Sequence, residues 1–86
     1  MKYRVTPSFW LHYRRLPRDV QELADRCFQL LKSDSRHPSL HFKKIGAAWS
    51  VRVGLHFRAL GVEDESDIVW FWIGTHAEYD QLLRRK

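Results

Sequence analysis

Two short stretches of this chain hold the residues whose types and spacing suit chemistry. The first is AWSVRVGLHFRALGV, Ala48 to Val62. If Gly54, Leu55 and His56 form a three-residue hairpin loop, Val53 pairs with Phe57, Val51 with Ala59 and Trp49 with Gly61. One face is then consistently apolar, and Arg52 stands opposite Arg58 on the other. Two guanidinium groups held face to face repel by up to about 1 kcal/mol, which an anion bound between them would offset. A two-residue loop would remove this pairing, and arginines stretching apart into water would need no ligand.

The second stretch is IGTHAEYD, Ile73 to Asp80. Thr75 and Glu78 have the spacing of a capping box, so a helix is expected to begin here. His76, Tyr79 and Asp80 then lie at i, i+3 and i+4 and share one face. Histidine exchanges protons near neutral pH, tyrosine stacks on a base or donates a hydrogen bond, and free amides at a helix start favour phosphate. Each residue also has an ordinary reading: Tyr79 as packing, Asp80 as a solvated charge, His76 as a helix-start residue with no chemistry.

Other site classes lack their residues. The five histidines, His12, His37, His41, His56 and His76, do not have zinc-ligand spacing, and Cys27 is the one cysteine, so neither a metal nor a cofactor is expected. No glycine-rich phosphate loop and no serine-nucleophile motif is present. The net charge of +5 and the pI near 9.8 favour a polyanionic partner. Four of the ten acids cluster in EDESD, leaving six against fifteen Lys and Arg elsewhere. Nucleic acid and an acidic protein both satisfy that balance. MKYRVT lacks the apolar core of a signal peptide and Ile68 to Ile73 is too short to span a bilayer, so a cytoplasmic protein with no membrane association is expected.

The elements that must position these residues follow from pattern. KYRVT alternates as a first strand, and Thr6 with Pro7 opens a short helix. Pro17 at the first helical position starts a longer helix, whose Val20, Leu23, Ala24, Cys27, Leu30 and Leu31 form one apolar stripe. Pro38 and its polar neighbours end it. Strands are expected in LHFKKI, AWSVRV, FRALGV and DIVWFWI, the last apolar on both faces and so central. The sum is a single α+β domain over residues 1–86: two N-terminal helices packed on a twisted antiparallel sheet of four to five strands, and a short C-terminal helix.

Element order and motifs together resemble the RelE/ParE superfamily of toxins from bacterial type II toxin-antitoxin modules. The likeness covers nearly the whole chain. The Arg-bearing hairpin is similar to the family's central one, the Gly-Thr-His of IGTHAEYD to the ending of YafQ-like members, and the Tyr-Asp pair to HigB-like ones. The resemblance implies a ribosome-dependent mRNA endoribonuclease that drives the 2′-OH onto the adjacent phosphate and is neutralised by a cognate antitoxin. It implies Arg58 and Arg52 as cations for the phosphate, His76 for proton transfer, and Tyr79 or Asp80 near the family's final aromatic or acidic position. Ser50 occupies a position where a lysine is expected; His41, Lys43 or Lys44 would substitute for it. That departure, and a C-terminal helix running on into QLLRRK, leaves room for a gyrase-directed ParE-like toxin, and a non-toxic basic module that binds nucleic acid or protein is the third reading. The basic end, Arg84, Arg85 and Lys86, suits an acidic antitoxin segment that folds on binding.

Overall fold

The computed structural model describes residues 2–84. Strand β1 (Tyr3–Val5) leads into helix α1 (Pro7–Arg14), where Thr6 caps the helix by accepting a hydrogen bond from the Phe9 amide at 3.1 Å. Helix α2 spans Arg18–Ser33. Pro17 stands one position earlier than expected, as N-cap, with its carbonyl taking the Val20 and Gln21 amides at 3.0 Å. The expected stripe is real: Ala24 and Leu31 are buried and Leu23, Cys27 and Leu30 pack beside them.

Four strands follow: β2 (Lys43–Ile45), β3 (Ala48–Val53), β4 (Phe57–Asp64) and β5 (Asp67–Thr75), then helix α3 (His76–Arg84). The first of them is shorter than LHFKKI because Leu40 closes a 3-10 turn over Pro38–Leu40 and His41 adopts a left-handed backbone, φ 45°. The sheet order is β1-β5-β4-β3-β2, so β5 is flanked on both sides as its apolar faces require. Its pairings are antiparallel except one: β1 lies parallel to β5, which makes the sheet mixed. That edge is tied by Arg4, whose guanidinium reaches Asp64 at 2.7 Å in the acidic turn. Where β1 ends, α1 takes over the edge of β5, with the Ser8 hydroxyl donating to the Phe71 carbonyl.

The main core lies between α1, α2 and one face of the sheet, around Leu31, Leu40, Val51, Val53, Ile68, Trp70 and Ile73. On the other face, α3 seals a smaller cluster of Leu60, Trp72 and Tyr79. Among the described residues, no helix is long and apolar enough to cross a membrane.

The β3–β4 loop turns on Gly54, at φ +66°, where an added Cβ would sit 2.5 Å from Leu23 Cδ2. Gly54→Ala is therefore expected to cost about 1–2 kcal/mol. Urea unfolding checks this, and an unchanged midpoint would contradict it.

Candidate functional site

The β3–β4 register is the one read from the sequence: Val53 opposite Phe57, Val51 opposite Ala59, Trp49 opposite Gly61, and Arg52 directly opposite Arg58. The arginines point to the sheet face that carries α3. Arg58 in turn pairs with Gly74 on β5. A side chain at position 74 has no room, since a Cβ would lie 2.5 Å from Trp72 Cζ2 and 2.8 Å from Glu78 Oε1. The apolar strand thus has to break at glycine for the next helix to close over it.

That helix starts through the expected capping box. Glu78 N donates to Thr75 Oγ1 at 3.1 Å, and Thr75 N donates back to Glu78 Oε1 at 2.9 Å. The Thr75 amide, then the Thr75 hydroxyl, hold the Glu78 carboxyl below its ordinary range, helped by the charges of His12 and Arg15. A depressed carboxylate stabilises the fold fully above its unfolded value, about pH 4.3, and loses that contribution as pH falls through the folded value. Glu78→Gln is thus expected to cost up to about 1 kcal/mol at neutral pH. In chemical denaturation at stepped pH, the gap from wild type should narrow below about pH 4.3; a gap that widens there would contradict the assignment. The His76 amide donates to His56 O at 2.7 Å. Two of the first three amides of α3 are therefore taken, which corrects the expectation of a free helix start for phosphate.

Arg52 is pinned. Its Nε donates to Gly54 O at 2.9 Å and its Nη1 lies 3.2 Å from His41 Nε2. Arg58 is held differently, with its Cζ over the Tyr79 ring at 5.6 Å. Its Nη1 is buried with no hydrogen-bond partner among the described residues. A desolvated, unsatisfied guanidinium nitrogen costs about 1–3 kcal/mol or more, so such a group usually awaits a ligand or water. His76 stands on the far side of Tyr79, ring centroids 5.9 Å apart, and its Nδ1 meets Asp80 Oδ2 at 3.3 Å. One ring of Tyr79 thus links Arg58 to His76.

The structure gathers Arg52, Arg58, His76, Asp80 and His41, with Lys43 exposed on the same face one row away, opposite Ser50. Three expectations need correction. Tyr79 is only 5% exposed, because α3 docks through it onto Leu60 and Trp72; it positions Arg58 and His76 and offers no stacking face to a base. Ser50 is fully buried and so offers no hydroxyl to a substrate. Lys44 pairs with Trp49 on the opposite face of the sheet and is drawn to Glu63 at 3.5 Å. Sequence reasoning missed His12 and Arg15, whose charges reach Glu78 from the end of α1. Their approach is set by tertiary packing, and no local spacing signals it.

The most apolar hollow lies elsewhere. A cavity of about 210 Å³ between α1, α2 and the core face is lined by Phe9, Trp10, Tyr13, Cys27, Trp70 and others, almost all apolar. Burial pushes the Cys27 thiol up, away from reactivity. The arginine site is instead an open rim of the sheet.

A family model for the ParE-like toxin domain matches residues 18–81. The chain belongs to that family. No curated protein sequence matches closely enough to refine this. Among solved structures, the toxin of a RelB-RelE antitoxin-toxin complex from Methanococcus jannaschii is similar at TM-score 0.71 and 14% identity, over 92% of this chain and 96% of that one. A toxin-antitoxin complex, RelBE2, from Mycobacterium tuberculosis is similar at TM-score 0.66 and 16% identity, over 87% and 96%. The isolated Escherichia coli RelE toxin follows at TM-score 0.62 and 10% identity, over 98% and 96%. At such identities the likeness is one of fold. In this ParE-like toxin domain, the arginine pair and His76 lie on β3, β4 and the start of α3, all within the matched residues.

Proposed function

We propose that this toxin domain is a cytoplasmic, metal-independent endoribonuclease that cuts mRNA on the ribosome and is silenced by a cognate antitoxin. The observation that carries the reading is the Arg52–Arg58 pair, with a buried nitrogen on Arg58 that has no partner among the described residues, beside the His76–Asp80 couple. Chemically, cleavage through a 2′,3′-cyclic phosphate needs cations for a phosphorus that gathers negative charge, and a group that returns a proton to the leaving oxygen. The arginines supply the first. His76, whose Nδ1 lies 3.3 Å from Asp80 Oδ2, is placed to supply the second. Asp80 orients that ring; Lys43 adds positive potential for the flanking backbone. The two solved complexes that resemble this chain pair a toxin with an antitoxin, which supports an antitoxin partner here.

A second reading, gyrase inhibition without nuclease chemistry, draws on the ParE-like family match and on Ser50, buried where a lysine is expected. The two part in one comparison. Purified protein added to programmed ribosomes should yield fragments with 2′,3′-cyclic phosphate and 5′-hydroxyl ends, while gyrase supercoiling proceeds unhindered. Intact RNA with blocked supercoiling would replace the nuclease reading by the second.

A further inference from the structure

His41 is the least comfortable residue of the site. Its backbone is left-handed at φ 45° and ψ 43°, a conformation that is uncommon outside glycine. It is clamped there from both sides: Leu40 is fully buried, and Phe42 stacks on Trp49 with ring centroids 4.7 Å apart. The outcome of the strained backbone is that His41 Nε2 comes within 3.2 Å of Arg52 Nη1.

That contact determines which nitrogen carries the proton. A guanidinium has five donors and no acceptor, so the hydrogen bond forms only if Nε2 of His41 is bare. In that hydrogen bond Nε2 of His41 accepts, its lone pair turned toward the arginine pair. His76 is arranged in the opposite sense, with the Asp80 carboxylate 3.3 Å from its Nδ1.

Sheet order places these two rings on opposite sides of the arginines. His41 precedes β2 and touches Arg52 on β3; Arg58 follows on β4; Gly74 on β5 leads to His76. His41 thus approaches the arginine pair from the β2 side, and His76 from the β5 side, beyond the Tyr79 ring. Displacement at phosphorus sets the attacking and leaving oxygens roughly in line, so base and acid must approach from opposite sides.

Resting on the nuclease reading above, we infer that His41 is the general base of this site. An arriving phosphate draws the Arg52 guanidinium from His41 and frees the lone pair. Nε2 of His41 takes the proton of the 2′-OH as its oxygen bonds to phosphorus; the bond from phosphorus to the 5′-oxygen breaks, and that oxygen takes the proton from His76. The products are a 2′,3′-cyclic phosphate and a 5′-hydroxyl, with one proton gained by His41 and one lost by His76.

The test is single-turnover cleavage of ribosome-bound mRNA at the codon the wild-type protein cuts, with either a natural linkage or a 5′-thio linkage there. A thiolate leaves without protonation, so the thio linkage needs a base and no acid. His41→Gly suits the left-handed backbone, and His41→Asn is a second variant that tolerates it. Both are expected to lose about 10²- to 10⁴-fold on either linkage, and added imidazole should restore part of the His41→Gly rate. His76→Gln should lose a similar factor on the natural linkage and recover on the thio one. Wild-type rates in either His41 variant, rescue of them by the thio linkage, or a loss that imidazole does not relieve would each overturn the assignment while the nuclease reading stands. Uncut RNA with wild-type protein would overturn both.

Discussion

Arg58→Ala should lower cleavage of ribosome-bound mRNA by about 10²- to 10³-fold, the usual loss for one pre-organised group at a charge that develops in the transition state. The same change should leave stability within about 1 kcal/mol of wild type, or raise it. Arg58 contributes a cation–π contact with Tyr79, worth about 0.5–1 kcal/mol, against a buried unsatisfied nitrogen and the repulsion of Arg52 across the ladder. A residue kept for packing behaves in the reverse way. Rapid-quench kinetics and urea unfolding on the same preparation separate the two: stability lost by several kcal/mol with cleavage retained would show that Arg58 is a structural residue. Arg58→Lys should recover little, because an ammonium lacks the planar fork that pairs bidentately with a phosphate.

The largest effect on folding should come from Trp70. It is 2% exposed at the junction of both layers of the main core, with Phe42 and Tyr3 rings 6.3 and 6.5 Å away. Trp70→Ala is expected to cost about 3–5 kcal/mol, since the void would join the existing cavity that Trp70 lines and the neighbouring strands cannot collapse into it. Trp70→Phe should cost much less than loss of ring volume alone implies. Its indole nitrogen has no hydrogen-bond partner among the described residues, and removing it removes a desolvation penalty. Calorimetric melting of the two variants tests the pair; equal losses would show that the indole N–H is satisfied in solution.

How much of this was legible before the structure depended on the range of the interaction concerned. The Arg52–Arg58 pairing could be read because loop length and strict alternation are local and together leave one register. Thr75 and Glu78 could be read for the same reason, three residues apart in one helical turn. Whether Tyr79 faced water depended on how α3 docks, and that is decided by Leu60 and Trp72, distant along the chain. The burial of Ser50 is likewise set by tertiary packing. Lys44 was readable in principle: Gly46 at φ 60° closes a two-residue turn with Ala47 that sets Lys44 opposite Trp49, hence on the core face. The parallel pairing of β1 left no such trace, three residues being too few to carry a pattern. Arg85 and Lys86, which extend the basic end expected to meet an antitoxin, lie outside the described residues.

The central claim, that this toxin domain cuts mRNA with its arginine pair and His76, is tested most directly by mapping 5′ ends across total mRNA minutes after inducing the wild-type chain and His76→Ala in bacterial cells. The account expects new 5′-hydroxyl ends in phase with the reading frame for wild type, and their loss in the variant at equal protein level. Growth arrest with intact mRNA, or identical cuts from both proteins, would contradict it.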